Sequence, residues 1–188
     1  MNTNKNELRQ KCRALRDSFG EEFIENASND ACELLSKSEE FKRADIILLY
    51  SPVKNEISPL PLIKMAQTMG KKIAFPVCNT KNGTLSFRVI NSMNELTPSH
   101  FGIYEPLLSN EVPILTERTV AIIPAIAFSK DGHRLGYGKG YYDRFLHDFK
   151  GISVGFSYSA LVLDSIPHEA HDIPLKIIIT ESEVLYFA

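Results

Sequence analysis

Apolar and polar positions along the chain alternate between two periods. Leu8, Cys12, Leu15 and Phe19 recur at helical spacing, and Asn4 with Glu7 three residues later resembles a capping box at the start of that helix. Lys5, Arg9, Arg13 and Arg16 fall on another face of it. Phe23, Ala27, Ala31, Leu34 and Leu35 carry a second helical pattern. A third helix is predicted to open at Ser58 and Pro59 and to stop at Gly70. Between and after these helices lie short β-prone runs: "DIILLY" (45–50), "KIAFPV" (72–77), "TVAIIP" (119–124), "GISVGF" (151–156), "KIIIT" (176–180) and the closing "VLYFA". Asn82-Gly83 predicts a hairpin turn into "TLSFRVI". Tyr141 to Phe149 reads as an amphipathic helix through Phe145, Leu146 and Phe149, and residues 91–118 show little pattern beyond the loop "FGIYEP". Apolar strands alternating with helices predict an α/β fold: one three-layer αβα domain over residues 1–188, with a mainly parallel open sheet covered on both faces.

Composition narrows this picture without changing it. A chain of 188 residues, 44% hydrophobic and 23% charged, has ordinary globular values and room for a core without disulfides or structural metal. Its net charge of −2 gives no general attraction to nucleic acid or anionic membranes, so no partner of either kind is expected and any positive site must be local. Cys12, Cys32 and Cys78 are odd in number and show no CxxC spacing, as expected of reduced thiols in a cytoplasmic protein. The N-terminal residues lack the apolar run of a signal peptide, and the apolar stretches are too short to span a bilayer. A monomer is expected.

The candidate chemistry lies in "DGHRLGYGKGYYDRFL" (131–146), where Gly136, Gly138 and Gly140 occupy alternate positions beside Arg134 and Lys139. The stretch follows a predicted strand and runs into a helix, where open α/β sheets bind ligands. Glycines let successive N–H groups converge on an anion, Lys139 adds a mobile charge, and Arg134 a planar fork suited to phosphate. Asp143, in the first helical turn, is placed to hold a divalent metal. The stretch is neither GxxxxGK[ST] nor GxGxxG. Alone, it fits a phosphate nest and a glycine-rich turn equally, with Tyr141 and Tyr142 as core aromatics and Asp143–Arg144 as a solvated pair.

The string "RLGYGKGYYDRFL" resembles the signature RLGxGxGYYDRxL of the 5-formyltetrahydrofolate cyclo-ligase family, also called methenyltetrahydrofolate synthetase. "KNELR" (5–9), "NEI" (55–57), "GIYEP" (102–106), "IPAIAFSKDG" (123–132) and "IPHEAHDIPLKIIITE" (166–181) are similar to that family's motifs, in its order. The resemblance implies the fold shared with sugar-phosphate isomerases and CoA transferases. It also implies an ATP-consuming cyclisation of 5-formyltetrahydrofolate, with or without a polyglutamate tail, to 5,10-methenyltetrahydrofolate. The formyl oxygen is phosphorylated, the neighbouring folate amine attacks, and phosphate leaves. Both nucleophiles belong to the substrate, in keeping with the absence of a Ser-His-Asp or catalytic Cys pattern.

Residue by residue, the resemblance gives ATP the positions Lys5, Arg9, Arg134, Leu135, Gly136, Gly138, Lys139, Gly140, Tyr141 and Tyr142, with Lys139 and Arg134 as catalytic cations. The folate receives Ser51, Glu56, Tyr137, Gly138, Lys139, Gly140 and Tyr141, and Mg²⁺ receives Asp143 and Asp172. Glu56 would accept hydrogen bonds from the pterin. Two positions depart from the pattern: Tyr137 stands where many members have a basic residue, and "FSYSALV" (156–162) lacks a glutamine, leaving Ser159 and Ala160 there. His133, His168 and His171 are expected as turn or surface residues, without the clustering that zinc requires. A catalytically silent folate or nucleotide binder on the same scaffold, a nucleic-acid binder, and an isomerase- or transferase-type enzyme are the competing classes.

Overall fold

A computed structural model describes residues 4–169 and 172–187. Helix α1 (Lys5–Asp17) is capped by the Asn4 side chain, which accepts the N–H of Asn6 at 3.0 Å. The bond expected from a capping box is therefore replaced by a tighter local one. Leu8 and Cys12 face the core, but Leu15 is 42% exposed and Arg16 only 3%. The last turn thus buries a charge in place of the expected leucine. Helix α2 (Glu21–Lys37) packs through Ala27, Ala31 and Leu35. A short α3 (Glu39–Arg43), capped by Ser38, leads into strand β1 (Ile46–Leu48).

Helix α4 (Pro61–Thr68) starts two residues beyond Pro59, with Pro61 at its first position, and the chain leaves it through Gly70. Strands β2 (Lys72–Asn79) and β3 (Thr84–Ile90) form the expected hairpin. Within the featureless 91–118 segment, β4 (Leu96–Pro98) and β5 (Tyr104–Pro106) pair as an antiparallel ribbon. Strand β6 (Thr119–Ile123) is buried throughout. After it come β7 (Ala127–Ser129), β8 (Arg134–Leu135), α5 (Tyr141–His147), β9 (Ile152–Phe156), β10 (Val162–Leu163), β11 (Ile177–Ile179) and β12 (Val184–Tyr186). Strands β10, β7 and β8 form a small second sheet that no sequence pattern indicates.

The main sheet is seven-stranded in the order β12-β11-β9-β6-β1-β2-β3. Its interior pairs are parallel and its two edge pairs antiparallel. Period-2 alternation divides the core as expected for a sheet covered on both faces. Ile47, Ile73, Phe75, Val120 and Ile122 pack beneath α1, α2 and α4. Ile46, Leu48, Ala74, Ala121 and Ile123 pack with Leu146 of α5 on the other face. The fold is α/β with a mainly parallel central sheet.

The strand order reverses at β1. Its successor β2 lies on one side of it and β6 on the other, and loops at such a reversal splay apart to open a crevice at the strands' carboxyl ends. Among the described residues no helix is long and apolar enough to cross a membrane.

Candidate active site

A cleft of about 890 Å³ opens at that reversal. Tyr50, Ser51 and Glu56 enter it from the segment after β1, Pro76 and Cys78 from the end of β2, and Pro124 from the end of β6. The volume lies near the upper end of the ~300–1,000 Å³ range of small-molecule sites, room for two reactants side by side. Lys5, Arg9, Arg13, Arg16, Lys54, Arg134 and Lys139 all line it, so its walls carry more cations than carboxylates in a chain of net charge −2.

The glycine stretch forms one wall, from β8 to the start of α5. Gly138 has φ +90° and Gly140, the residue before the helix, φ +66°. Side chains with a Cβ rarely adopt this region, so both positions need glycine for the backbone alone. At Gly140 a substitution would also push aside the end of a long side chain. A Cβ there would come within 2.8 Å of the Arg144 guanidinium, which donates to the carbonyls of Lys139 and Gly83, each at 2.7 Å. Arg144 thereby ties the glycine wall to the tip of the β2–β3 hairpin, a link of 61 residues along the chain.

Helix α1 supplies the facing wall. Arg9 Nε donates to the Gly136 carbonyl at 2.9 Å, joining the two walls. Lys5 Nζ pairs with Asp172 at 2.8 Å. The Arg134 guanidinium donates to the Ile173 carbonyl at 2.8 Å and forms a short ion pair with Asp143. The fork that the sequence suggests for phosphate is thus already closed on Asp143 and the backbone. Burial lowers the Arg134 pKa from its ordinary value, and the Asp143 charge opposes that shift.

At the inner end, Glu56 is 6% exposed. Its Oε2 accepts the Val53 N–H at 3.0 Å and its Oε1 accepts a short hydrogen bond from the Tyr137 hydroxyl. Arg16 Nη1 lies 3.7 Å from the same oxygen. Burial pushes the Glu56 carboxyl up, against the bonds from Tyr137 and Val53 and the Arg16 charge. The Tyr137 hydroxyl is pushed up to about 12, first by burial and then by Glu56. Cys78 is also raised to about 12, by burial and then Glu105, so it is a neutral thiol near pH 7.

Every site residue named from the sequence, from Lys5 to Asp172, lines this one cleft. Tyr142 also packs against the core layer under α5, so its role as a core aromatic holds as well. Arg13 and Arg16 were legible only as a basic stripe. The signal was present, since Lys5, Arg9, Arg13 and Arg16 share one helix face. Arg144, read from the sequence as half of a solvated pair with Asp143, binds backbone carbonyls instead, while Asp143 pairs with Arg134. Tyr104 has no assigned role within the "GIYEP" motif, and Ser51 accepts its N–H at 3.2 Å, tying the start of β5 to the cleft wall.

Asp131, His133 and His168 present ligand atoms within 4.8 Å of one another, a convergence that their spacing hides. The two rings are stacked, with centroids 3.7 Å apart and planes 8° apart. Their in-plane lone pairs therefore lie in two nearly parallel planes, a poor arrangement for meeting on one ion. His171 lies outside the described residues.

A crevice of this kind, at the switch point of a mainly parallel sheet and edged by cations, characterises α/β proteins that take small anionic ligands. Within that class the chain belongs to the 5-formyltetrahydrofolate cyclo-ligase family, whose pattern matches residues 1–181. It is 32% identical over 183 residues to the 5-formyltetrahydrofolate cyclo-ligase of Haemophilus influenzae, covering 93% of this chain and 97% of that one. The enzyme of that name from Escherichia coli K12 is 32% identical over 146 residues, 75% of this chain and 80% of the relative. Among solved structures, the 5,10-methenyltetrahydrofolate synthetase of Aquifex aeolicus superposes with a TM-score of 0.84 at 34% identity, covering 97% and 92% of the two chains.

Proposed function

We propose that this protein cyclises 5-formyltetrahydrofolate to 5,10-methenyltetrahydrofolate at the expense of ATP, as a cytoplasmic monomer acting through one domain. The observation that carries the reading is the convergence on one cleft of all the residues that the family resemblance assigns to nucleotide, folate and metal. They come from chain segments as far apart as Lys5 and Asp172, whose side chains meet at 2.8 Å.

The assignment of roles follows the walls. Lys139 and the N–H groups between Gly136 and Gly140 face the phosphates, with Lys5 and Arg9 closing over them from α1. Phosphoryl transfer needs chiefly positioning and charge neutralisation, which this arrangement provides. Arg134 acts through Asp143, holding that carboxylate at the cleft wall. Asp143 and Asp172 fit Mg²⁺ by donor chemistry: two hard carboxylates in one cleft, each held by a cation through one oxygen. When bound there, Mg²⁺ would offset the negative charge that accumulates on the phosphates. Glu56 and Ser51 take the folate, and Pro76, Leu85, Ile103 and Pro124 add apolar surface to the lining of the cleft.

Two measurements test this. ADP release should require 5-formyltetrahydrofolate, and release at the same rate without it, or none with it, would contradict the coupling. Deleting residues 1–9 removes Lys5 and Arg9 but leaves the buried Cys12 and Arg16. It should weaken ATP binding by calorimetry at least about tenfold, since a single lost charge-assisted contact is worth roughly 1.5–3 kcal/mol. Folate binding should change less. Equal ATP affinity in the truncated protein would remove α1 from the nucleotide site.

A further inference from the structure

The inner end of the cleft holds a group that the roles above leave unused. Arg16 is buried, its Nη2 lies 3.1 Å from the Tyr137 hydroxyl, and its Nε has no hydrogen-bond partner among the described residues. A guanidinium so placed has donors to spare and only one good acceptor. Its neighbour Glu56 is an acceptor whose cleft-side oxygen is occupied by that same hydroxyl. One phenol oxygen therefore gives a proton to Glu56 and receives one from Arg16. A heterocycle edge that carries an N–H next to a carbonyl would satisfy the same two residues.

Building on the reading of Glu56 as the folate contact, we propose that Glu56 and Arg16 together read the N–H and carbonyl edge of the pterin, and that Tyr137 occupies this place until the substrate displaces it. Tyr137 is suited to leave. It is partly exposed, it lies between Gly136 and Gly138, and Arg13 sits over its ring at 5.3 Å on the cleft side of α1. Because Arg16 can only donate, the pair selects a ring carbonyl over an amino group at that position. Tyr137 makes the empty site self-satisfied at some cost in affinity.

The test begins with Tyr137→Phe, which keeps the ring and removes the stand-in hydroxyl. Calorimetry should show about five-fold tighter binding of 5-formyltetrahydrofolate, the effect of one displaced hydrogen bond no longer opposing the ligand. ATP affinity should be unchanged, and the ligand-free protein should melt earlier while gaining a larger shift with folate. Unchanged or weaker folate binding would overturn the displacement of Tyr137, because a structural hydroxyl gives that result. The second arm compares 5-formyltetrahydrofolate with its 4-amino analogue, in which the ring carbonyl becomes an amino group. The parent should prefer the carbonyl form, and Arg16→Met should shrink that preference; an equal preference in both proteins would remove Arg16 from the subsite. Glu56→Gln separates the layers. If it leaves folate affinity intact, the underlying reading of Glu56 is wrong. If it weakens folate while Tyr137→Phe tightens nothing, only the displacement is wrong.

Discussion

Gly138→Val should yield a folded protein whose cyclisation rate falls on the order of 100-fold, the scale set by a misplacement of about 1 Å at a reacting centre. Gly138 sits at φ +90°, and a Cβ there would meet nothing closer than the Arg9 guanidinium at 3.5 Å, an ordinary contact. Space is therefore not the obstacle. The penalty lies in the backbone, because a β-branched side chain resists positive φ and the loop must distort to relieve it. Such strain costs about 1–3 kcal/mol, which a domain with ~5–15 kcal/mol of stability withstands. Circular dichroism should show the fold retained while turnover is lost. Lys139→Ala provides the contrast: it keeps the loop path and removes a charge, so added salt should weaken its residual ATP binding less than the parent's. Parental ATP binding and turnover in Gly138→Val would reduce the glycines to a turn.

Asp143→Asn should lower turnover by a similar factor and raise the Mg²⁺ concentration needed for half-maximal rate. It should also cost stability, because the Arg134 side chain is buried and pairs with Asp143. Removing one partner of a fully buried pair costs about 3–5 kcal/mol. Asp143 is 28% exposed and asparagine keeps an acceptor, so the loss should be smaller and visible as a lower melting temperature. Asp172→Asn should share the Mg²⁺ effect with less loss of stability, since its partner Lys5 is more exposed than Arg134. Parental Mg²⁺ dependence in both variants would exclude the two carboxylates from the metal.

What the sequence made legible follows from range. Strands β1, β6 and β11 announce themselves because a strand buried on both faces reads as a near-continuous apolar run, and β9 does so less cleanly because Ser153 and Gly155 interrupt it. The glycine wall stands out because its backbone conformation restricts residue type. Strands β7, β8 and β10 are two or three residues long and exist only through mutual pairing, which no local period records. The Leu15–Arg16 exchange at the end of α1 has the same origin. Helical spacing allows either residue to be buried, and the choice is made by Tyr137 and Glu56, far away in the chain. The family resemblance placed Glu56 and Tyr137 in one site, but their direct bond and its link to Arg16 came only from the fold.

The central claim is cyclisation, and the near-ultraviolet band of 5,10-methenyltetrahydrofolate reports it directly. With protein, ATP, Mg²⁺ and 5-formyltetrahydrofolate mixed, the band should grow at a rate proportional to protein concentration, with one ADP formed per methenyl product. No band, while calorimetry shows that both ATP and the folate bind, would contradict the claim and leave a binding protein on an enzyme's scaffold.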